Sequence, residues 1–353
     1  MYIVLAIIAF GVLILVHEGG HFFAARACDV KVNEFAIGMG PKLLQKQGKE
    51  TAFSLRVLPL GGYCAMEGED AETGDARAFS AKPKWQRILI TCAGAGMNYL
   101  IGLIMIFCIM PWMNVAEPVI ADFMDGCPYE SAEALQVGDR FLSVDGRRIF
   151  FSHNVGEYLQ RSGGDNHTLV VRRDGKRVVL KDFQMPKVAY AQPDGSTLMK
   201  YGFYFAPRGE GLWANLRYTW YMGLDFVRLI WRSLGDLFTG AVGLRDFSGP
   251  VGVVSYVNEV EAQAQSALEA WFTFFYIFSL IAVNLAVVNL LPIPGLDGGR
   301  IFLLLVTAVI EGISHKKLNP KYESWINMAG LVLLIGFSLF ILFNDIAKLI
   351  INR

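Results

Sequence analysis

The sequence predicts a polytopic α-helical membrane protein of four transmembrane helices, with a membrane-associated β-hairpin and one inserted α/β domain. Three observations predict it. The 353 residues are 54% hydrophobic with a mean hydropathy of +0.39, too apolar for an ordinary soluble domain. Residues 88–113 and 271–296 are each 26 residues without a charge, and residues 2–28 and 325–344 are also long enough to span. Residues 115–207, by contrast, are charged, turn-rich and strand-like, about the size of one small domain.

Composition also excludes partners. The formal net charge is zero and no basic patch dominates, which argues against nucleic acid. The five cysteines, at 28, 64, 92, 108 and 127, are odd in number and without paired spacing, so neither a disulfide framework nor a zinc knuckle is expected.

In chain order, the first span carries VHEGGHFFA (16–24) at its far end. No basic residue precedes its apolar run and no small-residue cleavage site is evident, so it reads as a span rather than a signal peptide. His17 and His21 are four apart, share one helix face and can grip one metal ion. Glu18 is placed to take a proton from a metal-activated water. The fifteen residues before His17 are uncharged, and ionisable groups in a span point to function rather than packing.

The stretch 31–87 turns polar, with nine Lys and Arg. Phe53, Leu55 and Val57 alternate with Ser54 and Arg56, and Pro59 and Gly61-Gly62 follow, so a short hairpin beside the membrane is expected. Residues 67–75 read as a solvated acidic loop. The span at 88–113 opens on Ala93-Gly94-Ala95-Gly96, small residues that let helices approach closely, and Asn98 is expected to face protein. In 115–207, Asp145-Gly146, Gly163-Gly164 and Asp174-Gly175 are turn signals between alternating stretches. Residues 212–240 show a helical apolar stripe (216, 220, 224, 227, 231, 234, 238) beside five charges, and read as amphipathic and interfacial. The third span ends in NLLPIPGLDGGR, whose prolines break it; such breaks at membrane depth need protein or a wet cavity around them. The fourth span is 325–344. The expected divisions are 1–114, an N-terminal membrane part; 115–207, the inserted domain; 208–270, the interfacial segment; and 271–353, a C-terminal membrane part.

A catalytic zinc needs a third protein ligand and an open position. His153, His167 and His315 fall in the insert or a polar loop. Asp297, the acidic residue in the broken apolar segment, is the expected third ligand; a helix cap is its alternative role. With four spans, His17, about 22 Å along its helix, and Asp297 reach the same membrane face; a fifth span at 212–240 would part them. The basic loop at 31–87 is expected to be cytoplasmic, the insert extracytoplasmic and both termini outside.

HEGGH (17–21), GMGP (38–41), FSLRVLPLGGY (53–63), DARAF (75–79), KWQRI (84–88), SGPVGV (248–253) and NLLPIPGLDGGR (289–300) together resemble the site-2 protease family of intramembrane metalloproteases. The likeness is to its bacterial branch, typified by the regulator of sigma-E protease, and runs in order along nearly the whole chain. VGDRFLSVDGRRI (137–149) looks like the strand-turn of a PDZ domain, and the insert has room for one. Two residues depart from the family pattern: Gly19 stands where a bulky apolar residue is usual, and the stretch before Asn98 lacks a Gly-Pro. The resemblance implies zinc held by His17, His21 and Asp297, Glu18 as base, and substrate contact by Asn289. It also implies a multi-pass protein of the bacterial cytoplasmic membrane. Its substrates would be single-span membrane proteins, such as trimmed anti-sigma factors, or remnant signal peptides, with an upstream site-1 protease acting on the same substrate. Two rivals are a catalytically silent PDZ-bearing scaffold and a metal transporter.

Overall fold

A computed structural model describes residues 2–69, 73–191, 196–240, 252, 266–315 and 320–351. Apart from Gly252, the SGPVGV stretch lies outside the described residues, as do residues 70–72 of the acidic loop. The chain divides into two compact units, 1–109 with 226–353, and 110–225.

The first unit is helical, with one small sheet. Helix α1 (Tyr2–Ala27) is followed by strands β1 (Val32–Gln47) and β2 (Ala52–Met66), then α2 (Lys84–Ile109). After residue 226 come the rest of α4 (Leu212–Phe238), α5 (Ala267–Asn289), α6 (Asp297–Ser314) and α7 (Pro320–Ile351). Four segments are long and apolar enough to cross a membrane: Val4–Ala27, Lys84–Trp112, Ala267–Asn289 and Trp325–Asn344. They are the four expected from hydropathy, and α4 is not among them. Ala6 and Leu13 of α1 pack on Ala270, Phe274, Phe278 and Ala282 of α5, so α1 and α5 are neighbours. A second cluster ties the end of α1 to the sheet through Ala25, Cys28, Val32, Cys64 and Met66.

The expected short hairpin is longer and turns elsewhere. Pro59 and Gly61-Gly62 do not end the strand; β2 runs through them, and the chain reverses at 48–51. Gly38, Gly40 and Gly61 have φ of 85°, 85° and 86°, a backbone region open to glycine, and they bend both strands. The first half of β1 therefore pairs on both sides: Val32↔Met66 and Ile37↔Gly62 on one, Glu34↔Ala52 and Ile37↔Leu55 on the other. Leu44↔Leu55 and Gln47↔Ala52 extend the sheet beyond that. Residues 62–66 are thus paired on one side only, among the described residues.

The second unit holds a sheet ordered β10-β3-β4-β6-β7, with β5 beside β4. The strands are β3 (Ala116–Phe123), β4 (Arg140–Val144), β5 (Arg147–Arg148), β6 (Asn166–Arg173), β7 (Lys176–Gln184) and β10 (Phe203–Pro207). A separate pair, β8 (Val188–Ala191) and β9 (Thr197–Lys200), follows β7. Asp145-Gly146 and Asp174-Gly175 take positive φ at both residues, the requirement of tight hairpin turns, so these signals fall where expected. Helix α3 (Ser152–Arg161) lays Val155, Tyr158 and Leu159 on Phe141, Leu169 and Val171, forming the core of this unit. Asp139 of the VGDR stretch is fully buried, and Arg173 donates to both its oxygens at 2.8 and 2.6 Å.

On α4 the face packed in the protein and the apolar stripe are different faces. Tyr218, Met222, Phe226 and Ile230 are buried, whereas Leu216, Trp220, Trp231 and Phe238 are exposed. Asp225, expected on the charged surface, is buried and accepts from Asn154 Nδ2 at 3.1 Å and bonds His153 Nε2 at 3.0 Å. These polar partners offset its desolvation, which is why a charge can sit on the packed face.

Candidate metal centre

His17 and His21 stand one turn apart on α1, and Asp297 opens α6 after the Pro-Ile-Pro-Gly break. The helix cap at that point is the backbone of Leu296, with no side-chain cap, so Asp297 is not engaged as a capping side chain. It turns instead toward the histidines. Its Oδ2 lies 3.2 Å from His17 Nε2 and 3.4 Å from His21 Nε2, and the two Nε2 atoms are 3.2 Å apart. These three form the one metal-competent cluster among the described residues.

The donor set fits a zinc ion. Corners of a tetrahedron centred on an ion about 2.0–2.1 Å away lie about 3.3–3.4 Å apart, the spacing of these three atoms. Asp297 Oδ2 is buried and makes no hydrogen bond, so three acceptor atoms converge in conflict. A cation resolves that conflict; a packed core would not tolerate it.

Outer contacts aim the ligands. His21 Nδ1 donates to the Ile90 carbonyl at 2.9 Å, which leaves the Nε2 lone pair facing inward. His17 Nδ1 is 3.3 Å from Asn98, which is 1% exposed and whose Oδ1 has no partner. Turning that amide over places Oδ1 on the His17 Nδ1–H and satisfies both groups, with His17 Nε2 left for the ion. Asn98 was expected only to face protein; its contact with a histidine 81 residues away has no signature in sequence spacing.

Glycines set the distance between α1 and α2. A Cβ at Gly20 would come 2.4 Å from the Ala93 carbonyl oxygen, and one at Gly94 would come 2.3 Å from His21 Nε2. The small-residue run therefore lets α2 approach the histidines themselves. A Cβ at Gly19 would meet only Phe23, at 3.9 Å, so the departure at that position lies clear of the cluster.

A cavity of about 320 Å³ opens on the cluster, lined by His17, Glu18, His21, Asp297, Thr91 and Arg300, with Glu69 and residues 63–66 of β2. Glu18 is beside the strand: a Cβ on Gly62 would lie 3.4 Å from its Cγ. Arg300 pairs with Glu69 at the cavity wall. The structure thus brings together His17, Glu18, His21 and Asp297. Asn289, at the end of α5, is not among the residues lining this cavity.

Residues 5–337 match the family model described as Peptidase family M50. A Clostridium perfringens protein named, by inference, a zinc metalloprotease is 34% identical, over 98% of each chain. A similarly named protein of Fusobacterium nucleatum is 31% identical over 99% of each. The regulator of sigma-W protease of Bacillus subtilis is 26% identical over 97% of each.

Proposed function

The chain belongs to peptidase family M50 and is a zinc metalloprotease, and from that premise we propose that it is a site-2-type endopeptidase cutting single-span membrane proteins within the bilayer. The observation that carries the reading is the convergence of His17 Nε2, His21 Nε2 and Asp297 Oδ2 beside Glu18, with both histidines on a helix apolar enough to span. Water and a peptide bond reach such a site only through a lined cavity, and this cluster has one.

His17, His21 and Asp297 would hold the zinc, which when bound polarises the scissile carbonyl and makes water acidic enough to attack near neutral pH. Glu18 takes the proton of the attacking water and delivers it to the leaving amine nitrogen. The substrate must be unwound, since a helix hides its carbonyls. Residues 63–66, paired on one side only and lining the cavity, supply an edge on which an extended segment can add as a further strand. That would hold the scissile bond next to Glu18. Asn289 is proposed to contact substrate beyond the ligand cluster.

The second unit is proposed to be a PDZ-like domain on the extracytoplasmic side, admitting substrates already trimmed by a site-1 protease. Trimmed anti-sigma factors and remnant signal peptides are the substrate classes this suggests; the sigma-W regulator's name supports the first. The exposed apolar stripe of α4 supports an interfacial placement for that helix.

The test is cleavage of a tagged single-span substrate by wild type and by Glu18→Gln, with zinc measured in both. Cleavage by wild type alone, with one zinc in each, is expected. Cleavage that persists in Glu18→Gln removes Glu18 from the mechanism, and absence of zinc from both removes the site.

A further inference from the structure

A second cavity, of about 620 Å³, lies in the 110–225 unit and shares no lining residue with the metal centre. Its walls include Arg140, Arg148, Arg172, Arg177 and Arg217. The sheet register makes this concentration unusual. Arg140 on β4 is directly opposite Arg172 on β6, and Arg172 is directly opposite Arg177 on β7. Directly opposed residues share a face, so three guanidinium groups stand in a row across three neighbouring strands. Like charges so placed destabilise a sheet unless something compensates them.

The protein supplies little compensation. Glu117 pairs with Arg140 and, at 3.3 Å, with Arg217, and it also accepts from Tyr218. Among the described residues Arg172 and Arg177 have no carboxylate within ion-pair distance. Burial, with the charges of Arg217 and Arg172, holds the Arg140 guanidinium below its usual range. The row lies on the face opposite the core, since Phe141 and Val171, the chain neighbours of Arg140 and Arg172, pack beneath α3. Above it, Arg217 and Tyr221 of α4 close one side, and Tyr221 stacks on Phe150 at 5.1 Å.

We propose that this cavity binds the anionic phosphate headgroup of a membrane phospholipid. Arginine forks match phosphate oxygens in pairs, and Arg140, Arg172, Arg177 and Arg217 around Glu117 leave a net positive pocket. A lipid is favoured over an acidic peptide by what surrounds the site. Trp213 and Trp220 are on the same turn-spaced face of α4 as Arg217 and Tyr221, and are 82% and 51% exposed. Exposed tryptophans of this kind settle at headgroup level. Pro118, Leu142, Ile149 and Phe150 add apolar wall that suits the glycerol and first methylenes of a lipid.

The test uses the full-length protein in a nonionic detergent, titrated with dioctanoyl-phosphatidylglycerol and followed calorimetrically. Dioctanoylglycerol, inorganic phosphate and an oligo-glutamate peptide are titrated in parallel. Wild type is expected to bind phosphatidylglycerol at least tenfold more tightly than any of the three. Arg172→Gln/Arg177→Gln should weaken it tenfold or more, while melting at the same or a higher temperature without lipid, because facing charges have been removed. Arg148→Gln, on the cavity's other edge, should weaken it too and serves if the double variant does not fold. Equal affinity in wild type and variants overturns the proposal. So does tighter binding of the glutamate peptide, or binding of inorganic phosphate or dioctanoylglycerol as strong as that of the phospholipid.

Discussion

Replacing Gly94 by alanine tests the site through a residue that is not itself a metal ligand. The new Cβ would lie 2.3 Å from His21 Nε2, 2.7 Å from His21 Cε1 and 2.8 Å from His17 Cε1. Ordinary contact begins near 3.4 Å, so the His21 ring must retreat by about 1 Å, against its 2.9 Å bond to the Ile90 carbonyl. Metal–ligand distances tolerate about 0.2 Å, so this costs the site a ligand. Disturbing an outer contact alone lowers metal affinity about 10–100-fold; displacing a ligand is expected to cost at least about 100-fold, with proteolysis falling in step. The helix itself gains about 0.5–1 kcal/mol from alanine at a glycine position, so the fold should survive. Gly96→Ala is the matched control, because a Cβ there meets nothing within 4 Å. Zinc content and cleavage of a single-span substrate are measured on wild type and both variants. Loss in Gly94→Ala alone is the expected pattern. Full zinc and full activity in Gly94→Ala would refute the argument that α2 presses on the ligands.

Asn98→Ala removes the partner of His17 Nδ1 and should lower zinc affinity about 10–100-fold without unfolding the chain, read by competition with a chelator. The hairpin should show an acid transition of its own. Burial acts to raise the Glu34 carboxyl, but hydrogen bonds from Ser54, Tyr63 and Arg56 and the Arg56 charge bring it from 4.5 down to about 2. A carboxyl lowered by folding stabilises fully above its unfolded value and loses that contribution as pH falls through the folded one. Melting temperature should therefore drop between pH 4.5 and 2 in wild type and drop less in Glu34→Gln; equal slopes would remove Glu34 as the cause.

Much of this fold can be read from the chain because the physics is local. Charge-free runs mark the spans, the two Asp-Gly pairs mark hairpins, and the four-residue spacing of His17 and His21 fixes one helix face. Asp297 could be singled out because an acid after Pro-Ile-Pro-Gly has few other reasons to lie in an apolar segment. Other features depend on partners far apart in sequence. Glycines usually end strands, but here Gly38, Gly40 and Gly61 let both strands bend and pair twice. On α4, Asp225 sits on the buried face because His153 and Asn154 of α3, in the same unit, supply its polar partners, which no periodicity reveals. Asn98 and Gly94 look like ordinary membrane-helix residues until α1 is packed against them. The arginine row is equally hidden, since it exists only in the register of β4, β6 and β7.

The most direct measurement of the central claim is X-ray absorption at the zinc edge of the purified, full-length protein, beside Asp297→Ala. A site of His17, His21 and Asp297 should give a first shell of nitrogen and oxygen at about 2.0–2.2 Å with two imidazoles, and loss of the metal or of one oxygen scatterer in the variant. A sulfur scatterer near 2.3 Å would contradict it, because it would make Cys64, which lines the same cavity, a ligand in place of Asp297.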